Sequence, residues 1–243
     1  MMTVNCDIGE RGADNRIDLQ LMDFIQIANI ACGGHAGDEN SIAVFRSLAE
    51  SKNVEVAGHL SYPDRENFGR ISLKLSETRL IQALDEQYQH IADIKMVKFH
   101  GALYNDSCVD KQLAAVLTNW LVQKGINRVI TGFDSELAKA CVSHPIRIIR
   151  EAFAERRYVY SRESGRLSLV KRDRPEACIV KCDEALKQSL SIVKDQAVMA
   201  FVESGTEGVR RESIPIKADT ICIHSDSVIS LELARRLSKQ LLS

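Results

Sequence analysis

The sequence has no excess of charge of either sign and no long apolar run. Its 32 basic and 33 acidic side chains give a formal net charge of -1, a balance that offers no attraction for nucleic acid or an anionic membrane. No stretch approaches the roughly 18 apolar residues of a membrane span, and the first residues lack the basic and apolar regions of a secretion signal. We therefore expect a cytoplasmic protein with neither nucleic acid nor membrane as a partner.

Linkers, repeats and nucleotide-binding motifs are also missing. Without a Gly/Ser-rich or Pro-rich linker, a low-complexity tract or an internal repeat, the 243 residues are expected to form one domain spanning 1–243. Neither the Gly-x-x-x-x-Gly-Lys-Ser/Thr phosphate loop nor the Gly-x-Gly-x-x-Gly fingerprint occurs. Nothing local indicates that this chain itself holds ATP or a dinucleotide.

Cysteine is present, but not in a pattern that predicts disulfides. The seven cysteines are an odd number, and several lie in apolar runs, which is typical of buried thiols in a reducing compartment. Cys32 and Cys222 lie close to histidines in the sequence, yet such isolated pairs are weak indications of a nucleophile or a zinc site. We interpret both as structural, together with Cys178 and Cys182.

Short β-branched and aliphatic runs alternate with longer segments of helical periodicity, the order expected of βαβ units and a parallel sheet. Strands are predicted near 3–8, 25–31, 54–59, 96–100, 128–131, 146–149, 197–202 and 220–224. Helices are predicted near 41–52, 76–92, 111–124, 135–141, 183–193 and 228–242. Residues 157–177 break the pattern and predict a hairpin or loop excursion. The expected fold is an α/β TIM-like β/α barrel of about seven or eight strands.

Polar residues capable of catalysis follow almost every predicted strand. The carboxyl ends of parallel barrel strands meet in one crevice, so residues distant in sequence can share a site there. Four of the six histidines occupy such positions, namely His35, His59, His100 and His224. Each alone could be a structural histidine, but four at strand ends favour a site. His90 and His144 are interpreted as surface or loop residues.

The charged candidates divide into acids and cations. Asp7, Asp38 and Asp226 lie beside the histidines and are the acid/base candidates; an aspartate there either orients a general base or ligates a divalent ion. Arg70, Lys98 and Arg156 could bind an anionic substrate. Lys98 is the most suggestive because it lies in an apolar strand, although a buried ion pair would explain it equally well. Glu10 and Asp64 are weaker, since either could cap a helix or close a turn.

Six segments at these strand ends resemble the LamB/YcsF family. They are NCDIGE at 5–10, ANIACGGHAGD at 28–38, GHLSYPDRENFGR at 58–70, VKFHGALYN at 97–105, EAFAERRY at 151–158 and CIHSD at 222–226. They follow in the family's order and cover nearly the whole chain. The sequence departs from the family pattern at Thr3, Gly34, Leu60, Phe99, Ile71, Glu155 and Ser225, which leaves room for a shifted substrate.

The resemblance implies the A subunit of a 5-oxoprolinase, which opens the cyclic amide 5-oxoproline to glutamate with ATP as co-substrate, together with B and C subunits. It assigns catalytic positions to Asp7, His35, His59, Lys98, His100, His224 and Asp226. It assigns substrate-binding positions to Asn5, Glu10, Asn29, Asp38, Arg70, Asn105 and Arg156. The expected roles are activation of water by Asp7 or a neighbouring histidine, and stabilisation of the developing oxyanion by His100 and Lys98.

Two other functions remain open from the sequence. The family's barrel is similar to those of the glycoside hydrolase and polysaccharide deacetylase type, which suggests a divalent metal at Asp7, His59 and His100 and hydrolysis of a carbohydrate-like amide, a step in carbohydrate metabolism. That link is an analogy of fold. The second alternative is a non-catalytic protein of the complex that binds a small carboxylic acid while its partners perform the chemistry.

Overall fold

Seven parallel strands close into a barrel in the computed structural model, which describes residues 2–203 and 210–241. The strands of the molecule are β1 (Thr3–Ile8), β2 (Ile27–Ala31), β3 (Glu55–Leu60), β4 (Met96–Phe99), β5 (Arg128–Gly132), β6 (Arg147–Phe153), β7 (Tyr158–Ser161), β8 (Arg166–Leu169), β9 (Ala197–Glu203), β10 (Arg210–Pro215) and β11 (Thr220–His224). The order around the barrel is β1-β11-β6-β5-β4-β3-β2, with β1 also paired to β2. The predicted β/α barrel is therefore confirmed.

Helices surround the barrel and connect its strands. They are α1 (Arg16–Leu21), α2 (Glu39–Lys52), α3 (Glu77–Gln89), α4 (Gly101–Val109), α5 (Lys111–Gln123), α6 (Glu136–Cys141), α7 (Cys182–Asp195) and α8 (Ser230–Leu241). As the sequence indicates, Ser76 caps α3 by accepting a hydrogen bond from the backbone N–H of Arg79. Within the described part of the chain, no helix is long and apolar enough to cross a membrane.

A second sheet stands beside the barrel. Its strand order is β10-β9-β7-β8, and β7 and β8 form the antiparallel hairpin expected within residues 157–177. The predicted strand at 197–202 exists as β9, but it lies in this second sheet rather than in the barrel. The barrel consequently has seven strands, the lower of the two expected numbers. The last residue of the predicted helix at 228–242 lies outside the described residues.

The inside of the barrel is apolar at one end and polar at the other. Alternate residues of a strand face opposite sides of the sheet. One set forms a separate buried apolar cluster of Ile27, Ala57, Met96, Ile130 and Ile149. Two residues further along β2, β3, β4 and β6 stand Asn29, His59, Lys98 and Glu151, all buried. The apolar layer thus closes the amino end of the barrel, and the polar layer forms the floor of a site at its carboxyl end.

Candidate active site

A buried lysine with two carboxylates forms the floor of the site. Lys98 Nζ lies 2.8 Å from Asp7 Oδ1, 2.9 Å from Glu151 Oε1 and 3.1 Å from Cys222 Sγ. Lys98 is therefore in the buried ion pair that the sequence left as an alternative. Its ammonium donates hydrogen bonds to Asp7 Oδ1, to Cys222 Sγ and, at 3.4 Å, to Asn5 Oδ1, so it acts on a bound molecule through its charge rather than through a free hydrogen bond.

Two asparagines hold this floor in place. Asn29 Nδ2 donates to Asp7 Oδ1 at 2.9 Å and to Asn5 Oδ1 at 2.7 Å, and Asn5 donates to the Thr220 hydroxyl at 3.0 Å. Both asparagines are fully buried, and they lie below the pocket rather than in its wall. The sequence assigned them to substrate binding; the structure gives them the geometry of residues that orient Asp7.

The charges on the floor fix its protonation states. Burial disfavours the ionised form of Asp7, but the charges of His59 and Lys98 outweigh burial and lower the pKa of Asp7 well below its ordinary value. Burial likewise opposes the charge of Lys98, but Asp7, Cys222 and Glu151 raise the pKa of Lys98 well above its ordinary value. Burial raises the pKa of Cys222, which keeps it a thiol and agrees with its structural interpretation.

Glu10 and the histidines His35, His59 and His100 form a cluster next to Asp7. Glu10 Oε1 is 3.1 Å from His35 Nε2, 3.4 Å from His100 Nδ1 and 3.8 Å from His59 Nε2. His59 Nε2 is 2.9 Å from His100 Nδ1. Burial, followed by the neighbouring histidines, lowers the pKa of His100 well below its ordinary value, and burial also lowers the pKa of His35 although its hydrogen bond to Glu10 opposes this. The rings of His35 and His100 are therefore neutral at pH 7.

Backbone turns bring this cluster together. Gly101, directly after His100, has φ 57°, a left-handed conformation that glycine adopts without strain. A side chain at Gly101 would lie 2.4 Å from the carbonyl oxygen of Gly69, and that carbonyl instead accepts a hydrogen bond from the N–H of Ala102 at 2.9 Å. The loop that follows β3 thereby packs on the start of α4 and places His100 beside His59.

The fourth predicted histidine lies on the opposite side of the pocket. His224 pairs with Glu155 through its Nδ1, and its backbone N–H donates to the same Glu155 oxygen at 2.9 Å. Its ring is stacked on Phe153 with centroids 5.5 Å apart. Further out, Arg70 and Asp226 form an exposed ion pair of 3.2 Å, and Arg172 lies 3.9 Å from the same carboxylate.

The pocket between these groups has a volume of about 640 Å³, within the range of small-molecule sites. Ten of the predicted site residues line it or its mouth: Asp7, Glu10, His59, Arg70, Lys98, His100, Asn105, Arg156, His224 and Asp226. Its walls come from α4 on one side and from β8 with the segment that follows it on the other. His35 lies behind Glu10, where it supports the carboxylate rather than facing the pocket.

Arg156 lines the pocket but is engaged by the fold. Its Nη2 donates to the carbonyl of Val170 at 2.7 Å and its Nε to the carbonyl of Ala177 at 3.5 Å. These hydrogen bonds attach the segment 157–177, which contains β8, to the end of the barrel. Burial, followed by the nearby Arg172, lowers the pKa of Arg156. Arg172 has the more open guanidinium of the two, and the sequence did not single it out.

Asp38 lies away from the pocket, at the amino end of α2. Its carboxylate accepts a hydrogen bond from the N–H of Ser41 at 2.7 Å, and the Ser41 hydroxyl accepts one from the N–H of Asp38 at 2.9 Å. This reciprocal pair is a capping box. The bonds to the backbone and hydroxyl of Ser41 also lower the pKa of Asp38. The geometry is that of a helix cap, although the sequence placed Asp38 among the site residues.

The Asp38→Ala variant should therefore lose stability and retain its catalytic properties. We expect its melting temperature to fall by about 2–4 °C, because one helix cap is lost from a domain of this size. Asp38→Ser, which keeps a capping oxygen, should restore most of that loss. Thermal denaturation of the three proteins checks this, and a change in substrate KM for Asp38→Ala would contradict it.

A charged, partly buried pocket at the carboxyl ends of a parallel β/α barrel is where enzymes of this architecture carry their active sites. The sequence profile of the LamB/YcsF family matches residues 2–243. The A subunit of 5-oxoprolinase from Oceanobacillus iheyensis is 36% identical over 249 residues, covering 98% of this chain and 92% of that protein. The corresponding protein of Haemophilus influenzae strain PittEE is 34% identical, covering 98% and 94%.

A solved structure agrees with this relationship. The lactam utilization protein of Thermus thermophilus superimposes with a TM-score of 0.78 and 27% identity, covering 99% of this chain and 96% of that one. The chain belongs to the LamB/YcsF family. The resemblance that the six segments indicated is thereby confirmed.

Proposed function

We propose that the chain is the A subunit of an ATP-dependent 5-oxoprolinase, which opens 5-oxoproline to glutamate together with B and C subunits. The observation that carries the proposal is the relation to 5-oxoprolinase A subunits over 98% of this chain. The pocket adds chemical support, because it combines Arg70 and Arg172 at its mouth with the fixed carboxylate of Asp7 and the neutral ring of His100.

The substrate carboxylate is assigned to the mouth of the pocket. Arg70 and Arg172 both lie near Asp226, and the Arg70–Asp226 pair is 42% exposed on each side. Exposed ion pairs contribute little to stability, so Arg70 can exchange Asp226 for a ligand carboxylate at small cost. A guanidinium suits this role because it binds a carboxylate through two parallel hydrogen bonds.

The reacting amide is assigned to the inner pocket. Asp7 is held by Lys98 and Asn29 through Oδ1, while its Oδ2 lies 3.4 Å from His59 Nε2 and faces the cluster. In this proposal Asp7 orients the attacking water and accepts its proton. His59 and Lys98 keep Asp7 ionised, and Lys98 places a fixed positive charge beside the oxygen that becomes negative in the transition state.

ATP enters the proposal through the chemistry of the substrate. A five-membered lactam is a stable, unstrained amide, so phosphate activation makes its opening favourable. Since the sequence has no phosphate loop, the nucleotide is assigned to a partner chain, and this chain is assigned the pocket in which the lactam opens.

Reconstitution tests the function directly. Glutamate and ADP formation from 5-oxoproline and ATP should appear only when this chain is mixed with its cognate B and C subunits, and neither this chain alone nor B with C should suffice. The Asp38→Ala chain should support the same rate and serves as the control. Absence of glutamate in the mixture, with B and C shown to work with the A subunit of a relative, would contradict the proposal.

A further inference from the structure

The tautomers of two pocket histidines are set by backbone carbonyls. His59 Nδ1 lies 3.1 Å from the carbonyl oxygen of Lys98, and His100 Nε2 lies 3.0 Å from that of Phe68. A carbonyl oxygen only accepts hydrogen bonds, so each of these ring nitrogens carries the proton. In each ring the second nitrogen, His59 Nε2 and His100 Nδ1, is therefore the one available to bind a proton or a metal cation.

These two nitrogens point at each other. They are 2.9 Å apart, and Glu10 Oε1, a third acceptor, lies 3.4 Å from His100 Nδ1 and 3.8 Å from His59 Nε2. Three lone pairs at such distances repel unless a positive charge lies between them. One proton could join only two of the three atoms, whereas a metal cation would satisfy all three together.

The distances suit a tetrahedral metal. Ligands bound at about 2.0–2.1 Å in a tetrahedron are separated by about 3.3–3.4 Å, and the three separations of 2.9, 3.4 and 3.8 Å in the structure lie around that value. One ligand atom of each of Glu10, His35, His59 and His100 lies within 4.8 Å of all the others. The ring planes of His59 and His100 are 88° apart, which lets their lone pairs converge from different directions.

His35 has a supporting position in this arrangement. Its ring is stacked parallel to that of His100, with centroids 3.6 Å apart and planes 1° apart, and lone pairs in two parallel planes do not converge on one ion. Its Nε2 lies 3.1 Å from Glu10 Oε1, the contact by which a second residue orients a ligating carboxylate. Glu10, His59 and His100 line the pocket, whereas His35 does not.

We propose that Glu10 Oε1, His59 Nε2 and His100 Nδ1 bind one divalent zinc-type cation, with a fourth coordination position open to the pocket. Two imidazoles and one carboxylate are a ligand set of zinc sites that keep an open position, and the hard cations Mg²⁺ and Ca²⁺ prefer oxygen ligands. The sequence suggested Asp7 with the two histidines. Asp7 Oδ2 lies 3.4 Å from His59 Nε2, but the group that holds His59 and His100, whose ligand atoms all lie within 4.8 Å of one another, contains Glu10 and not Asp7, so Glu10 takes its place in the set.

Metal binding can be measured without any assay of catalysis. The full chain, stripped with a chelator and dialysed, should take up about one equivalent of zinc and melt at a higher temperature when zinc is present. Cobalt should give the intense visible absorption of a four-coordinate site. These readouts are independent of the proposed lactam chemistry, so failure of one proposal is distinguishable from failure of the other.

Two substitutions remove a ligand atom and keep the hydrogen bond that holds the side chain. His59→Asn retains a donor near the Nδ1 position for the Lys98 carbonyl and lacks Nε2. His100→Gln retains a donor near the Nε2 position for the Phe68 carbonyl and lacks Nδ1. Each should weaken zinc affinity by more than about 100-fold, with circular dichroism showing a folded chain. Glu10→Gln should weaken it in the same direction.

The matched control is His90→Gln at the exposed carboxyl end of α3, which should bind zinc like the wild type. Equal zinc uptake by the wild type and by the His59→Asn and His100→Gln variants would place the metal elsewhere and overturn the proposal. Failure of the stripped, folded wild type to take up zinc or cobalt would overturn it as well, since the two histidines would then share a proton.

Discussion

Replacing Asp7 by asparagine should lower the turnover of the reconstituted complex by about 10²–10⁴-fold and leave the chain folded. The expected loss is that of an acid/base group held at a reacting centre. Asparagine keeps the shape of the side chain but cannot accept a proton from water. The measurement is glutamate release at saturating 5-oxoproline and ATP, with the variant in place of the wild-type chain.

The fold should tolerate this change because of the charges on the floor. Asp7 and Glu151 both lie within 3 Å of the Lys98 ammonium, so this buried group of three carries one negative charge in excess. Neutralising Asp7 leaves a balanced pair of Lys98 and Glu151. Removal of one partner from a buried pair is strongly destabilising only when it leaves an uncompensated charge, which is not the case here.

Asp18 offers a matched control for this substitution. It is a second buried aspartate, bound by Arg11 at 2.8 Å and by the N–H of Gly9 at 3.0 Å, and it does not line the pocket. Asp18→Asn should lower the melting temperature without lowering turnover. An Asp7→Asn variant with full activity would remove Asp7 from the chemistry, and one with the same profile as Asp18→Asn would make its role structural.

The sequence predicts strands well where an apolar run has clear ends. The predicted bounds of β1 and β11 match the structure, since both are short β-branched runs followed by polar residues. The sequence also predicts β9 as a strand, but it does not determine its partners, and the antiparallel pairing with β10 takes it out of the barrel. Pairing depends on contacts between distant segments, which local periodicity does not contain.

The missed helices are those with weak local signals. α1 has only six residues, although Asn15 caps it by accepting hydrogen bonds from two backbone N–H groups. α4 follows β4 directly, begins at Gly101 and has no side-chain cap. Its position is set by packing against α5, α6 and the barrel, so neither propensity nor a capping pattern marks its start.

The site residues also divide into those that local sequence patterns reveal and those that depend on partners distant in the sequence. The carboxyl ends of the strands could be predicted, which is why most of the proposed residues line one pocket. Glu151 and Glu155 were missed as site residues because their partners are remote: Glu155 pairs with His224, 69 positions away. A signal did exist for Glu151. A lysine in an apolar strand requires a buried counter-charge, and Glu151 directly precedes the apolar pair Ala152 and Phe153 at the end of β6.

Lys98→Met should be the most destabilising of these substitutions. Methionine fills the space of the lysine stem, but Asp7 and Glu151 then remain buried without their ammonium. Breaking a buried ion pair in this way costs about 3–5 kcal/mol. Urea denaturation at pH 7 measures the free energy of unfolding, and a loss below about 1 kcal/mol would mean that water or His59 compensates the two carboxylates.

The free energy of unfolding that Lys98→Met loses should depend on pH, and the pKa of Asp7 determines the direction of that dependence. In the wild type, burial opposes ionisation of Asp7, but His59 and Lys98 lower its pKa. A lowered folded-state pKa adds stability above the unfolded value of about 3.9, which is lost as the pH falls through the folded-state pKa. Without Lys98, burial should raise the pKa of Asp7. A raised folded-state pKa favours the folded variant at low pH, and this contribution is lost as pH rises.

The stability difference between wild type and Lys98→Met should therefore increase from about pH 4 to pH 8. The triple variant Lys98→Met, Asp7→Asn, Glu151→Gln is the charge-balanced control. It removes the cation and both carboxylates together, so it should recover most of the lost stability and show a smaller pH dependence, while remaining inactive. If the triple variant were as unstable as Lys98→Met, lost packing rather than unpaired charge would explain the effect.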